Sequence, residues 1–161
     1  MTDHLVSESI TVNAPADVVF AILADPRQHR RIDGSGSVRG CVDGPERLSP
    51  EAEFRTRMKM FGAPYQMRNW VVEFEENRLL AWKHFGPARW RYELSPEGEL
   101  THVTETFDYT RANPVALAIL GVLRFPARNR DGIVQTLARL KAAAQADAQT
   151  GAQTGSDSDA G

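Results

Sequence analysis

The sequence predicts an α+β fold. A curved antiparallel sheet of about six to seven strands wraps around one long C-terminal helix, and two short helices follow the first strand. Three observations predict it. The only long helical segment lies at Asn113 to Ala146. Nearly everything before it alternates at the two-residue period of half-buried strands. The strands are joined by hairpin-length connections, which force antiparallel pairing. One amphipathic helix cannot bury its apolar face alone, so the sheet must cover it.

His4 to Asn13 alternates, with Val6, Ile10 and Val12 on one face and Ser7, Ser9 and Thr11 on the other. Glu8 falls on the apolar face, either at a solvated edge or as a carboxylate inside a cavity. A helix starts at Ala14-Pro15-Ala16-Asp17 and stops at Asp25-Pro26, because the residue before proline avoids the helical region. Its buried side is Val18, Val19, Ile22 and Leu23, with Phe20 flanking. Pro26 opens a second short helix, Arg27 to Ile32, before the flexible turn Gly34-Ser35-Gly36.

Strands follow at Ser37 to Val42, Ala52 to Phe61, Tyr65 to Glu75, Leu79 to Phe85, Arg89 to Leu94 and Thr101 to Thr110. In the second of these, Phe54, Thr56, Met58 and Met60 face one way, and Arg55, Arg57 and Lys59 the other. In the third, Trp70, Val72 and Phe74 share a face. Trp90, Tyr92 and Leu94 are in register, as are Val103, Glu105, Phe107 and Tyr109. Gly44-Pro45, Gly62-Ala63-Pro64, Glu75 to Arg78, Gly86-Pro87 and Pro96-Glu97-Gly98 supply the turns. Strands of roughly ten residues are each about 30 Å long and must curl to cover one helix, which leaves a hollow.

Asn113-Pro114 is an N-cap followed by proline at the first helical position. Pro126 interrupts the run, so a short helix or extended loop is expected from Pro114 to Phe125. A longer helix follows from about Arg128 to Ala146. Ile133, Leu137 and Leu140 form its apolar stripe, widened by Val134 and Ala144. From 148 to 161 the chain has no large apolar side chain, so residues 1–147 are expected as the domain and the rest as a disordered polar tail.

The chain has 161 residues and a formal net charge of −2. That gives no argument for nucleic acid or an anionic membrane as partner. A lone Cys41 excludes an intrachain disulfide and a multi-cysteine metal site, and the four histidines show no ligand spacing. No metal and no cofactor are expected. No apolar run is long enough to span a membrane. Met1-Thr2-Asp3-His4 lacks the features of a signal peptide. The expectation is a soluble, cytoplasmic protein, monomeric or a weak homodimer.

Three stretches carry a family resemblance. The first runs from Ile10 through Ala14-Pro15 to Val19-Phe20 and Asp25-Pro26. The second is the hairpin Val71 to Trp82. The third is the closing strand Thr101 to Thr106, followed by Thr136 to Leu140 in the terminal helix. The chain resembles the START-like (SRPBCC) superfamily, which includes the polyketide cyclase/dehydrase and lipid-transport group. The resemblance covers most of Val6 to Lys141. It implies the helix-grip fold, an apolar cavity between sheet and helix, and a hydrophobic small-molecule ligand. It implies no universal catalytic motif.

The inward polar residues on these strands are Glu8, Thr56, Tyr92, Glu105 and Tyr109. In an apolar pocket such groups orient a ligand. A buried carboxylate has its pKa raised and can act as an acid or base. Glu105 and Tyr109, four apart on one face, could supply the base and the enolate donor of a ring closure, or could be satisfied core polar groups. Met58, Trp70, Trp90, Phe107, Ile133 and Leu137 are the expected apolar walls. His29, Asp33 and Ser35 lie in a segment expected to gate the cavity. No Gly-x-Ser-x-Gly elbow makes them a catalytic triad.

Two functions from different classes follow: a carrier or sensor of a lipid- or polyketide-like molecule, or a polyketide cyclase/dehydratase using Glu105 and tyrosines. A weaker third is a protein-interaction domain akin to a chaperone co-activator. An arginine such as Arg68 or Arg89 on Glu105 would weaken the acid–base role, and an unpaired Glu105 would strengthen it.

Overall fold

The computed structural model describes residues 4–84 and 86–156. The elements run β1 (Leu5–Val12), α1 (Ala16–Leu23), a short 3-10 turn (Pro26–Gln28), α2 (His29–Ile32), β2 (Val38–Asp43), β3 (Glu53–Met60), β4 (Ala63–Glu75), β5 (Leu79–Lys83), β6 (Arg89–Glu97), β7 (Leu100–Asp108), α3 (Pro114–Val122) and α4 (Phe125–Ser156). The seven strands form one sheet in the order β1-β7-β6-β5-β4-β3-β2. Every neighbouring pair is antiparallel. The short helices α1 and α2 carry the chain from the β1 edge to the opposite β2 edge. The C-terminal helix packs on β1 and on α1 and α2. This is the helix-grip arrangement.

The local signals act as their chemistry requires. Asn113 caps α3, its side chain accepting the Ala116 N–H at 2.9 Å. Asp25 caps the turn that follows α1 by accepting the Arg27 N–H at 2.9 Å. Ile133, Leu137, Leu140 and Ala144 are fully buried on one face of α4. Val134, expected on that stripe, is instead 46 % exposed, because it sits one residue past the buried position and turns off the face.

Three expectations are corrected. Trp70 does not face the interior. β4 carries a bulge: Val71 pairs with Trp82 and Glu73 with Ala81, leaving Val72 unmatched. A bulge inserts one residue and reverses the side-chain alternation beyond it. Asn69 and Val71 are therefore buried before it and Phe74 packs on the core after it, while Trp70 turns out beneath Arg68, 5.9 Å from its guanidinium. Second, α4 begins at Phe125 and admits Pro126 in its first turn, where the missing N–H costs no hydrogen bond. Third, α4 runs on to Ser156, past the 147 boundary, as a continuation of the helix despite the threonines and glycines at 150–151 and 154–155, which favour helix little. Residues 157–161, the rest of the expected tail, lie outside the described residues, as does Phe85 at the end of the expected fourth strand.

The segment after α2 lies flat on α4. The Gly34 N–H donates to the Thr136 hydroxyl at 2.9 Å, and Arg139 Nη1 donates to the Asp33 carbonyl at 2.7 Å. A Cβ on Gly34 would overlap the Thr136 backbone nitrogen and Gln135. Gly36 has φ +73° but open space around it. Gly34→Ala should therefore cost ~3 kcal/mol of unfolding free energy through overpacking, and Gly36→Ala only ~1 kcal/mol of backbone strain. Urea unfolding of both variants tests this; equal costs would overturn the close-packing account.

Candidate functional site

Alternation along β7 turns Thr101, Val103, Glu105 and Phe107 to the concave side, and all four are buried. Glu105 is 2 % exposed. The register sets it between Tyr92 of β6 and Glu8 of β1. The Tyr92 hydroxyl donates to Glu105 Oε1 at 2.8 Å. Glu105 Oε2 is buried and has no hydrogen-bond partner. No arginine neutralises the carboxyl: Arg68 pairs with Glu53 at 2.7 Å and Arg89 with Glu73 at 3.4 Å.

Burial raises the Glu105 pKa to about 8, against the pull of the Tyr92 hydrogen bond and with a smaller push from the Asp33 charge. Burial, with Glu105 adding, holds the Tyr92 hydroxyl well above its ordinary value. Both groups keep their protons at neutral pH. Glu105 is then a neutral acid whose O–H finds no acceptor in the protein. Such a group can donate to an oxygen of a bound molecule, or exchange a proton with it.

An aromatic stack backs this pair. Tyr92 stacks on Trp82 at 5.4 Å, and Trp82 on His29 at 4.9 Å, with Phe54 edge-on to both His29 and Trp82. His29, expected in a gate, is a core residue. Its Nε2–H donates to the Leu23 carbonyl at 2.8 Å, and burial lowers its pKa, so it is neutral. Leu23 closes α1, and its carbonyl, freed at the helix end, is within reach of the ring and draws it inward. Asp33 and Ser35 are tied to one another, Ser35 Oγ donating to Asp33 Oδ1 at 2.7 Å, and Asp33 Oδ2 accepts the Val38 N–H at 2.8 Å.

A second polar chain crosses β3 to β6. Trp90 Nε1–H donates to His84 Nε2 at 3.2 Å. His84 Nδ1–H donates to Asn69 Oδ1 at 2.6 Å, and Asn69 Nδ2 donates to the Thr56 hydroxyl at 3.0 Å. The Trp90 indole can only donate, so His84 Nε2 is the acceptor and Nδ1 carries the proton; Asn69 Nδ2 also reaches the Met67 carbonyl at 3.1 Å. Burial lowers the His84 pKa to about 4, which keeps that tautomer neutral. Neither Asn69 nor His84 stands out in the sequence. The bulge in β4 brings Asn69 inward, and no local pattern announces it.

The other expected residues divide. Phe107 packs on Trp90 at 4.7 Å, and Ile133 and Leu137 are buried in the same core. Met58 is half-buried opposite Tyr65. Glu8 is on the concave side but ion-paired to Arg130 at 3.4 Å. Tyr109 does not partner Glu105. It lies past the end of β7, where its ring stacks on Phe107 at 5.4 Å and meets His4 at 5.5 Å. Trp70 borders two open clefts of about 470 Å³ each, one shared with Lys83 and His84 and the other with Tyr65 and Met67. Among the described residues no three His, Cys, Asp or Glu side chains converge as metal ligands.

The raised Glu105 pKa has a signature in stability. Folding takes up a proton between about pH 4.5, the ordinary value, and about pH 8, the folded value. The contribution is therefore full below the ordinary pKa and is lost as pH rises toward the folded one, by about 1.4 kcal/mol per pH unit. Glu105→Gln retains an oxygen for Tyr92 but cannot ionise. Urea unfolding from pH 5 to 8 should show the wild-type slope flattened in the variant, and parallel slopes would overturn the assignment.

The comparisons agree with this fold. The sequence matches the family described as polyketide cyclase / dehydrase and lipid transport over residues 3–145. It is 46 % identical over 140 residues to protein Rv0088 of Mycobacterium tuberculosis, covering 84 % of this chain and 62 % of that protein. The chain thus spans under two thirds of that relative. Protein NE0264 of Nitrosomonas europaea shares the fold at a TM-score of 0.68 and 16 % identity, over 91 % of this chain and 97 % of that one. The Polyketide_cyc-like protein Cgl2372 of Corynebacterium glutamicum does so at 0.60 and 20 %, over 85 % and 88 %. No described helix is long and apolar enough to cross a membrane. With seven antiparallel strands gripping α4 and the family match spanning nearly all of them, the chain belongs to the polyketide cyclase/dehydrase and lipid transport family.

Proposed function

We propose that the protein binds one apolar small molecule, lipid- or polyketide-like, between the sheet and α4, as a carrier or sensor. One observation carries the reading: Glu105 Oε2 is buried without a partner. An unsatisfied buried polar group is costly, by about 1–3 kcal/mol, and calls for an explanation. A ligand carbonyl or hydroxyl accepting from the Glu105 O–H supplies one. Trp82, which stacks on Tyr92, and Phe107 and Leu137 of the same core would give the apolar walls. A mostly apolar site with one directed polar group is the usual form of a small-molecule pocket.

Native mass spectrometry of the purified protein, followed by solvent extraction, identifies a retained compound. Quenching of tryptophan fluorescence then measures affinity for that compound or for a long-chain ketone. Glu105→Leu should weaken binding about tenfold, the net worth of one hydrogen bond. Wild-type affinity should fall as pH rises above about 8, where Glu105 loses its proton. Unchanged affinity in Glu105→Leu would remove the carboxyl from the site.

A second reading is a cyclase or dehydratase, and the Tyr92–Glu105 hydrogen bond favours it. A carboxyl with pKa about 8 is near the value that suits general acid–base work at neutral pH. The ionised form would take a proton from a carbon beside a ketone, and Tyr92, in place of Tyr109, would donate to the enolate oxygen. Turnover of a polyketone, rising with pH toward about 8 and lost in Glu105→Gln while binding persists, would establish it; binding without turnover would leave the carrier.

A further inference from the structure

We propose that α3, together with the β3–β4 hairpin tip at Phe61, is a docking surface for an anionic lipid bilayer. The helix Pro114–Val122 has no buried residue. Val115 is 70 % exposed, Ile119 54 % and Val122 82 %, and Leu123 follows at 47 %. Phe61 is 78 % exposed on its hairpin. The Arg128 guanidinium lies 5.3 Å over the Phe61 ring, so the hairpin tip sits beside the first turn of α4 and hence near the α3–α4 corner. A contiguous apolar face of this kind marks an interaction site.

Charge identifies the occupant. Between Asp108 and Asp131 the chain carries Arg111, Arg124, Arg128 and Arg130 and no carboxylate, although the whole chain is at −2. Arg111 is paired to Asp108 and Arg130 to Glu8. Arg124 and Arg128 are exposed and have no ion pair among the described residues. A second copy docked face to face would bring both copies' cations into one interface with no carboxylate from this segment to meet them, which is unfavourable. Lipid phosphates complement them. An apolar helical face rimmed by arginine is the pattern of a segment lying in the membrane interface. α3 is far too short to span one.

The test is flotation of the full chain with vesicles of phosphatidylcholine and phosphatidylglycerol in equal parts, against phosphatidylcholine alone. Binding is expected to the anionic vesicles and to decline with added salt. The pair Arg124→Gln and Arg128→Gln should weaken it about thirtyfold, from roughly one cation's attraction each. Ile119→Ser with Val122→Ser should abolish it, with thermal unfolding unchanged because neither side chain is buried. Equal binding to both vesicles, binding to neither, or a dimer in sedimentation velocity that the serine pair disperses would each overturn the proposal.

Discussion

The structure depends on the seating of the α4 stripe in the concave side of the sheet. Ile133, Leu137, Leu140 and Ala144 are sealed there against Val6, Val12, Val103 and Phe107. A single sheet face exposed to water would leave all of that apolar surface wet, so sheet and helix are stable only together. The order of the strands follows from the same need. β1 lies beside β7, the last strand made, and the sheet closes over α4 only when both ends of the chain are present.

Within that core, polar groups are treated in two ways. The Trp90–His84–Asn69–Thr56 chain is complete, donor to acceptor at every link. Its worth is order, since each member holds the next in one rotamer and one tautomer. The Tyr92–Glu105 pair is incomplete by one oxygen. Arg89 Nε also lacks a partner, but its guanidinium is paired to Glu73, whereas Glu105 has no counter-charge, and that singles it out. Its protonation is a product of dehydration and of the surrounding rings, with no cation to reverse it.

The element order was legible in the sequence because alternation, proline and glycine report backbone geometry directly. Asn113-Pro114 capped a helix as its chemistry requires, and Glu105 faced inward by parity from Val103 and Phe107. The limits were also physical. Parity counts fail where a residue is inserted, so alternation puts Trp70 inside and passes over Asn69, both because of Val72. His29 falls within the expected gate segment when only the sequence is considered, because a histidine held by one backbone carbonyl leaves no mark there. Tyr92 rather than Tyr109 met Glu105 because strand register, which is set across the sheet, decides contacts that spacing along one strand cannot.

The contact of Gly34 with α4 has a kinetic meaning. Backbone touches backbone there, with no side chain between them to swing aside. Rotamer changes take picoseconds to nanoseconds, but they open nothing at such a seam. Enlarging the interior at that end requires the 33–36 segment and the helix to travel as one body, a collective motion of microseconds or slower. For the ligand proposed above, entry at that end would be set by the stiffness of the whole grip.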